Sequence, residues 1–242
     1  MLQKLTDFYI KQLFFTNFIS LFINPFYIIR SRLLKNLKPL AFQCKGKLLD
    51  FGCGLKPYQK LFVNVENYIG IDIENEGHSH EKEMIDVFYD GKKLPFNDAS
   101  FDTVFCSEVL EHVFNIDEIL PEINRVLKVG GIFLVTVPFA WDEHEIPNDF
   151  GRYTSFGISH LLEKNGFRIE NFTKSGSFFE VVVQLFILYL HHLLFTKNKY
   201  FNIFINFIFI SPLTILGLFF SFILPKKKSL YFNNVVFCSK KN

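Results

Sequence analysis

An apolar strand that runs straight into an acid, two close glycines and a proline constrains this chain more than any other stretch: Leu48-Leu49-Asp50-Phe51-Gly52-Cys53-Gly54-Leu55-Lys56-Pro57-Tyr58. A strand turning through glycines into a helix start puts backbone N–H groups and a crowded loop at the carboxyl end of a parallel sheet, where open α/β sheets take ligands. Gly52 and Gly54 can adopt positive φ and let a ligand close on the backbone, while Pro57 suits a first helical position, where its missing N–H costs nothing. The main competitor is a dinucleotide site reading Gly-x-Gly-x-x-Gly. Its third glycine, needed for close helix–strand packing, falls on Pro57, so a pyrophosphate site is disfavoured.

Asp50 changes the chemistry, because a carboxylate pointing into the loop repels phosphates and suits a ligand carrying an ammonium or sulfonium group. With it, the run resembles motif I of the class I S-adenosylmethionine-dependent methyltransferases, type 11-like, whose pattern is acid-x-Gly-x-Gly-x-Gly. The last glycine of that pattern falls on Lys56. Asp72 ends a short apolar run, Tyr68 to Asp72, about 20 residues past the glycines, where a second-strand carboxylate meets a ribose hydroxyl pair. Glu74 is the reserve for that role. Met84 to Tyr89 reads as a third strand; by the resemblance Asp90, four residues before Leu94-Pro95-Phe96, contacts the adenine amino group, and Asp90-Gly91 also has the form of a plain turn. Phe101 to Cys106 is a fourth strand, and Ser107 to Val113 at its carboxyl end lines the methionine end of the cofactor and the acceptor pocket in the resembling family. The resemblance therefore implies S-adenosylmethionine as cofactor, held by Asp50, Gly52, Cys53, Gly54, Tyr58, Asp72, Asp90, Gly91 and Ser107.

Asn115 to Glu118 has the form of a helix start, with Ile119, Ile123, Val126 and Leu127 on one apolar face, Pro121 interrupting it and Gly130-Gly131 ending it. Ile132 to Val137 is a fifth strand, Ser155 to Lys164 a helix, Phe167 to Thr173 a sixth strand. This alternation predicts an α/β chain with a mostly parallel sheet and helices on both faces. The resemblance makes it a Rossmann-like seven-stranded sheet with Leu230 to Cys238 as the antiparallel last strand. The expected division is a helical cap over 1–46, a cofactor-binding core over 47–175, an apolar helical hairpin over 176–228 and the last strand over 229–242.

After the fifth strand, residues 138–154 are dense in His, acids, Arg and aromatics, and His144-Glu145-x-Pro147-x-Asp149-x-x-Arg152-x-Thr154 resembles a pattern in methyltransferases of cell-surface glycan and lipid-conjugate functions. A hydroxyl acceptor needs a general base, which near pH 7 points to His112 or His144. Glu108, Glu145, Asp149, Arg152 and Tyr153 would orient the acceptor. The alternative is a solvated lid whose Arg pairs with its own acids. His78 and His80 beside Glu81 read as exposed loop residues, and no metal site is expected.

Net charge is +2, with scattered Lys and Arg that exclude a dedicated nucleic-acid patch. Cys44, Cys53, Cys106 and Cys238 show no paired spacing and read as reduced thiols in the cytoplasm. The N-terminal apolar stretch carries Asp7 and Lys11 and no small-residue cleavage site, so a cleaved signal peptide is not expected. Residues 13–29 are apolar but interrupted, and a basic helical segment follows. Residues 181–195 and 200–224 are uncharged, and Lys226-Lys227-Lys228 follows; the second run is long enough to cross a bilayer. Three readings stand: a hairpin dipping into one leaflet, a two-span hairpin, or a buried extension or dimer contact. The expected protein works at the cytoplasmic face of a membrane, moving a methyl group to oxygen on a small or lipid-linked acceptor. Carbon or nitrogen methylation of a quinone or other metabolite, a catalytically inactive membrane-bound scaffold, and a nicotinamide-dependent dehydrogenase are the alternatives.

Overall fold

The computed structural model describes residue 8 and residues 11–73 and 84–241. Glu74, His78, His80 and Glu81 lie outside them. Seven strands form one sheet: β1 (Gly46–Phe51), β2 (Val65–Ile73), β3 (Val87–Tyr89), β4 (Phe101–Ser107), β5 (Leu127–Pro138), β6 (Phe167–Lys174) and β7 (Asn233–Lys240), in the order β3-β2-β1-β4-β5-β7-β6. β1 pairs in parallel with β2 and β4, as do β2 with β3 and β4 with β5, while β7 runs antiparallel to β5. This is the expected Rossmann-like sheet. Leu48 to Phe51 are all buried, the continuous pattern of a central parallel strand covered on both faces.

Two helices supply cover. Ile116–Val126 buries Ile119, Leu120, Ile123 and Val126 along one stripe, and Ser155–Lys164 buries Ile158 and Leu162. Thr154 caps the second helix by accepting the Gly157 N–H. All four cysteines are unpaired and buried.

Three local expectations are corrected. The helix after Asn115 runs unbroken through Pro121 but ends at Val126, not at Gly130-Gly131. Leu127 already pairs with Phe101, and the glycines instead sit inside β5 where the register shifts, Gly130 at φ +71°. The third strand is confined to Val87–Tyr89. The turn after Gly54 leads into a single 3-10 turn, Gln59–Leu61, because the chain must rejoin the sheet at Val65, too soon for a crossover helix.

By contact the chain divides into two compact units: Leu37–Thr173 with Asn233–Asn242, and Met1–Asn36 with Lys174–Phe232. In the second, the helix Phe178–Leu194 meets a long helical stretch that runs from Lys199 to Ile223 through a π-helical turn at Asn206–Ile210. Their approach is close: a Cβ on Gly217 would lie 2.6 Å from Val183 Cγ1. Glu180, which starts the first of these helices, is buried and held by three groups. Its Oε1 accepts from Arg32 Nε at 2.7 Å and Ser221 Oγ at 2.7 Å, and its Oε2 from the Ser177 N–H at 2.9 Å. Gln184 donates to Pro25 O and accepts from the Ile29 N–H. Tyr200–Ile223, with mean hydropathy 2.3, is long and apolar enough to cross a membrane, and Phe178–Leu194 is shorter.

Candidate active site

The parallel strands β1, β2, β4 and β5 share a carboxyl edge, and the sequence-predicted residues gather along it. Gly52, Gly54 and Lys56 all have positive φ, +71°, +43° and +48°. The departure from the glycine pattern therefore keeps the left-handed backbone for which glycine is the strain-free choice. The Lys56 side chain packs over Gly70 of β2, where a Cβ would also lie 2.6 Å from Cys53 Sγ, and ends in an ion pair with Asp86. At Gly54 an added Cβ meets nothing within 4 Å among the described residues, which leaves that side of the backbone open to a ligand there.

The loop N–H groups, expected to face the ligand, are spoken for. Those of Gly52 and Cys53 donate to Ile71 O at 2.9 and 3.2 Å, and that of Gly54 to Asp72 Oδ2 at 2.9 Å. Asp72 Oδ1 takes the Ile73 N–H at 2.8 Å. Asp50, expected to point into the loop, is 3% exposed and accepts from Tyr68 Oη at 2.6 Å. Burial pushes its carboxyl up to about 7, so its charge is not the fixed phosphate-repelling feature read from the sequence. Tyr58 is buried against Phe105, edge-on at 6.3 Å. Asp90 is exposed, and its Oδ1 accepts from the N–H groups of Lys92 and Lys93 at 3.0 and 3.1 Å, the plain-turn geometry; those bonds hold its carboxyl below the usual range. Gly91, at φ +77°, offers its carbonyl to Asn115 Nδ2.

At the end of β4, Ser107 Oγ lies 2.8 Å from Thr136 Oγ1. Glu108, at φ +56°, is fixed at both oxygens, Oε1 by Thr136 Oγ1 at 2.8 Å and Oε2 by Asn233 Nδ2 at 2.6 Å. The next turn brings together the two predicted histidines. His112 and His144 stack edge to face with ring centroids 4.7 Å apart. His112 Nδ1 is 2.6 Å from Asn148 O, which directs its δ N–H at that carbonyl and leaves Nε2 as the lone-pair nitrogen, while His144 Nδ1 lies 3.2 Å from Asp142 O and 3.4 Å from Arg152 Nη2. Asp149 grips the loop: it accepts from Arg152 Nη1 and Nη2 at 2.6 and 2.7 Å and from the His144 N–H at 2.9 Å. The guanidinium holds the Asp149 carboxyl at about 2. Arg152 thus pairs with its own loop's acid. Tyr153 Oη reaches Leu110 O at 3.5 Å, and Glu145, at φ +51°, is exposed in a turn that includes the cis Ile146–Pro147 bond.

Thr136, Asn148 and Asn233 carry no local sequence signal, because they fix Glu108 and His112 from 28 to 125 positions away. Glu111 does carry a local signal, an acid beside His112 at the carboxyl end of a strand. Its side chain is fully buried. Burial, with the Glu108 charge second, raises it well above the usual carboxyl range.

An S-adenosyl group carries ribose hydroxyl donors and an ammonium. The open backbone at Gly54 and the half-buried Asp72 carboxylate beside it match those groups, and Lys56, packed onto Gly70, leaves that surface clear.

Residues 49–135 match the family model described as a methyltransferase domain. A probable S-adenosylmethionine-dependent methyltransferase of Mycolicibacterium smegmatis is 30% identical over 145 residues, 57% of this chain and 54% of that protein. The chain thus spans about half of that relative's length. An uncharacterised protein of Methanocaldococcus jannaschii is 32% identical over 174 residues, 69% of this chain and 76% of the relative. Among solved structures, Haemonchus contortus phosphoethanolamine N-methyltransferase 2 with S-adenosyl-L-methionine aligns at TM-score 0.57 and 18% identity, covering 97% of this chain and 56% of that one. That likeness concerns the fold.

Proposed function

We propose that this chain, whose residues 49–135 match a methyltransferase domain, is a class I S-adenosylmethionine-dependent methyltransferase that moves a methyl group to an oxygen of a small or lipid-linked acceptor, a sugar or related glycan unit, at the cytoplasmic face of a membrane. The observation that carries the reading is Asp72 at the end of β2, bonded to the N–H of an open, left-handed Gly54. When bound, S-adenosylmethionine supplies a sulfonium-activated methyl carbon, with the departing electron pair left on sulfur. Asp72 accepts the ribose hydroxyls, as the carboxylate at that strand end is placed to do. The segment 107–113 and the loop 139–154 hold the acceptor and exclude water, the alignment on which an in-line displacement depends. An acceptor hydroxyl gives up its proton to the imidazole of His112, at Nε2 because its Nδ1 is engaged with Asn148 O, or to that of His144. Oxygen is preferred over carbon as acceptor because two imidazoles stand at the same place, whereas carbon methylation of an already acidic substrate needs no such pair.

The lipid-linked class is supported by the apolar helices: Phe201, Phe204, Phe207, Phe219 and Phe222 in the Tyr200–Ile223 stretch are exposed, and exposed apolar surface of this kind has a partner. Calorimetric titration of detergent-purified protein with S-adenosylmethionine and S-adenosylhomocysteine, with NAD as control, tests the cofactor. Micromolar binding of the first two alone supports the reading and opens a screen of lipid and glycan extracts for methyl acceptance. Folded protein that binds neither overturns it in favour of the inactive scaffold.

A further inference from the structure

The loop that carries His144 and the turn that carries His112 meet over Glu111, and the three side chains converge. A nitrogen from each imidazole and a carboxylate oxygen of Glu111 lie within 4.8 Å of one another, His112 Nε2 at 3.8 Å from Glu111 Oε1. Glu111 has no exposed surface, and neither of its carboxylate oxygens has a hydrogen-bond partner among the described residues. A fully buried carboxylate left in this way is costly unless something charged or protic meets it. We propose that Glu111, His112 and His144 bind one divalent transition-metal ion of the zinc, manganese or cobalt class.

The donor set decides the class. Two neutral imidazoles and one carboxylate suit borderline first-row ions, whereas calcium and magnesium take oxygen ligands. Three protein ligands leave coordination positions open, the arrangement of catalytic ions and not of structural ones. The surroundings have the form that metal-bound histidines require. His112 Nδ1 faces Asn148 O, which fixes that ring and leaves its Nε2 to coordinate, and His144 Nδ1 is held between Asp142 O and Arg152 Nη2. Asp149 steadies the same loop through the His144 N–H and the Arg152 fork. With ligand distances of about 2.0–2.2 Å, the donor atoms need to draw together by only about an ångström. With the ion bound the ligating imidazole lone pairs are taken, so an open position that takes and polarises the acceptor's oxygen would replace the imidazole base of the function proposed above; ion binding itself does not rest on that function.

The test is metal binding by the full-length, chelator-stripped protein. Cobalt(II) is followed by its visible absorption, and manganese(II) and zinc(II) by calorimetry, with S-adenosylmethionine affinity measured on the same samples. One equivalent of ion bound at micromolar or tighter affinity is expected, weakened at least tenfold by Glu111→Gln and by His144→Ala. Unaltered S-adenosylmethionine affinity in those variants shows that they fold. Absence of stoichiometric binding at millimolar ion, or binding that both variants leave unchanged, overturns the site. One equivalent of ion bound by protein that binds no S-adenosylmethionine would overturn the proposed function and leave the metal site standing.

Discussion

Asp50 and Asp72 end neighbouring strands, and burial gives them different chemistry. Asp50 is sealed beneath the loop with Tyr68 as its donor, and desolvation moves its carboxyl from 3.8 to about 7. Its folded-state value lies above its unfolded one, so the folded protein holds a proton that the unfolded chain has already released. Stability from this group is therefore fully present below pH 3.8 and is lost as pH rises to about 7, by up to ~4 kcal/mol. Asp50→Asn removes that slope: chemical denaturation across the interval should show a flatter pH dependence than the wild type, and an identical slope would show that Asp50 is not the group responsible. Asp72 instead remains half-buried beside the open Gly54. Asp72→Ala is expected to weaken S-adenosylmethionine binding at least several-fold by calorimetry, and unchanged affinity would remove Asp72 from the ribose role.

At the scale of the element, the glycine loop is a packing device as much as a ligand site. A Cβ on Gly52 would run into the Val109 side chain, and its φ of +71° is strained for any other residue. Gly52→Ala should destabilise the core by about 1–3 kcal/mol, visible as a lowered thermal midpoint. A variant as stable as the wild type would mean that the loop relaxes freely. The same loop separates what local sequence can and cannot tell. Positive φ at Gly52 and Gly54 was legible because glycine is the residue that accepts it. The helix expected after Pro57 was not formed, since the length left before Val65 was decided by sheet pairing. The helix 116–126 shows the same split: its apolar stripe was legible, and its end was moved from Gly130 to Val126 by the pairing of Leu127 with Phe101.

For the whole molecule, the chain carries a Rossmann-like sheet and, in its other unit, helices rich in exposed phenylalanine. Within the helical unit Glu180 is held by Arg32, Ser177 and Ser221, and Gln184 by Pro25 and Ile29. The exposed phenylalanines of Tyr200–Ile223 and the Lys226-Lys227-Lys228 run that follows them are the features on which the proposed membrane contact rests. Full-length protein is expected to float with vesicles that contain anionic lipid. Replacing the three lysines by alanine should weaken this at low salt by roughly 1 kcal/mol per charge if the association is interfacial. Equal flotation by the variant at all salt concentrations would point to insertion carried by the apolar helices alone, and failure of both proteins to float would remove the membrane from the proposal.

Sequence by itself determined the strand and helix alternation, the cofactor loop with its acids at the ends of the first two strands, and the length of the last apolar helix. Each depends on neighbours close in the chain, where glycine conformation, apolar period and strand length act directly. Tertiary structure alone decided that Asp50 is buried and Asp72 is not, that Lys56 lies along Gly70, that Glu108 is fixed by Asn233 and that Glu111 is enclosed between two imidazoles. Those outcomes depend on desolvation and on partners brought from distant strands, and burial converts identical residue types into different chemical groups.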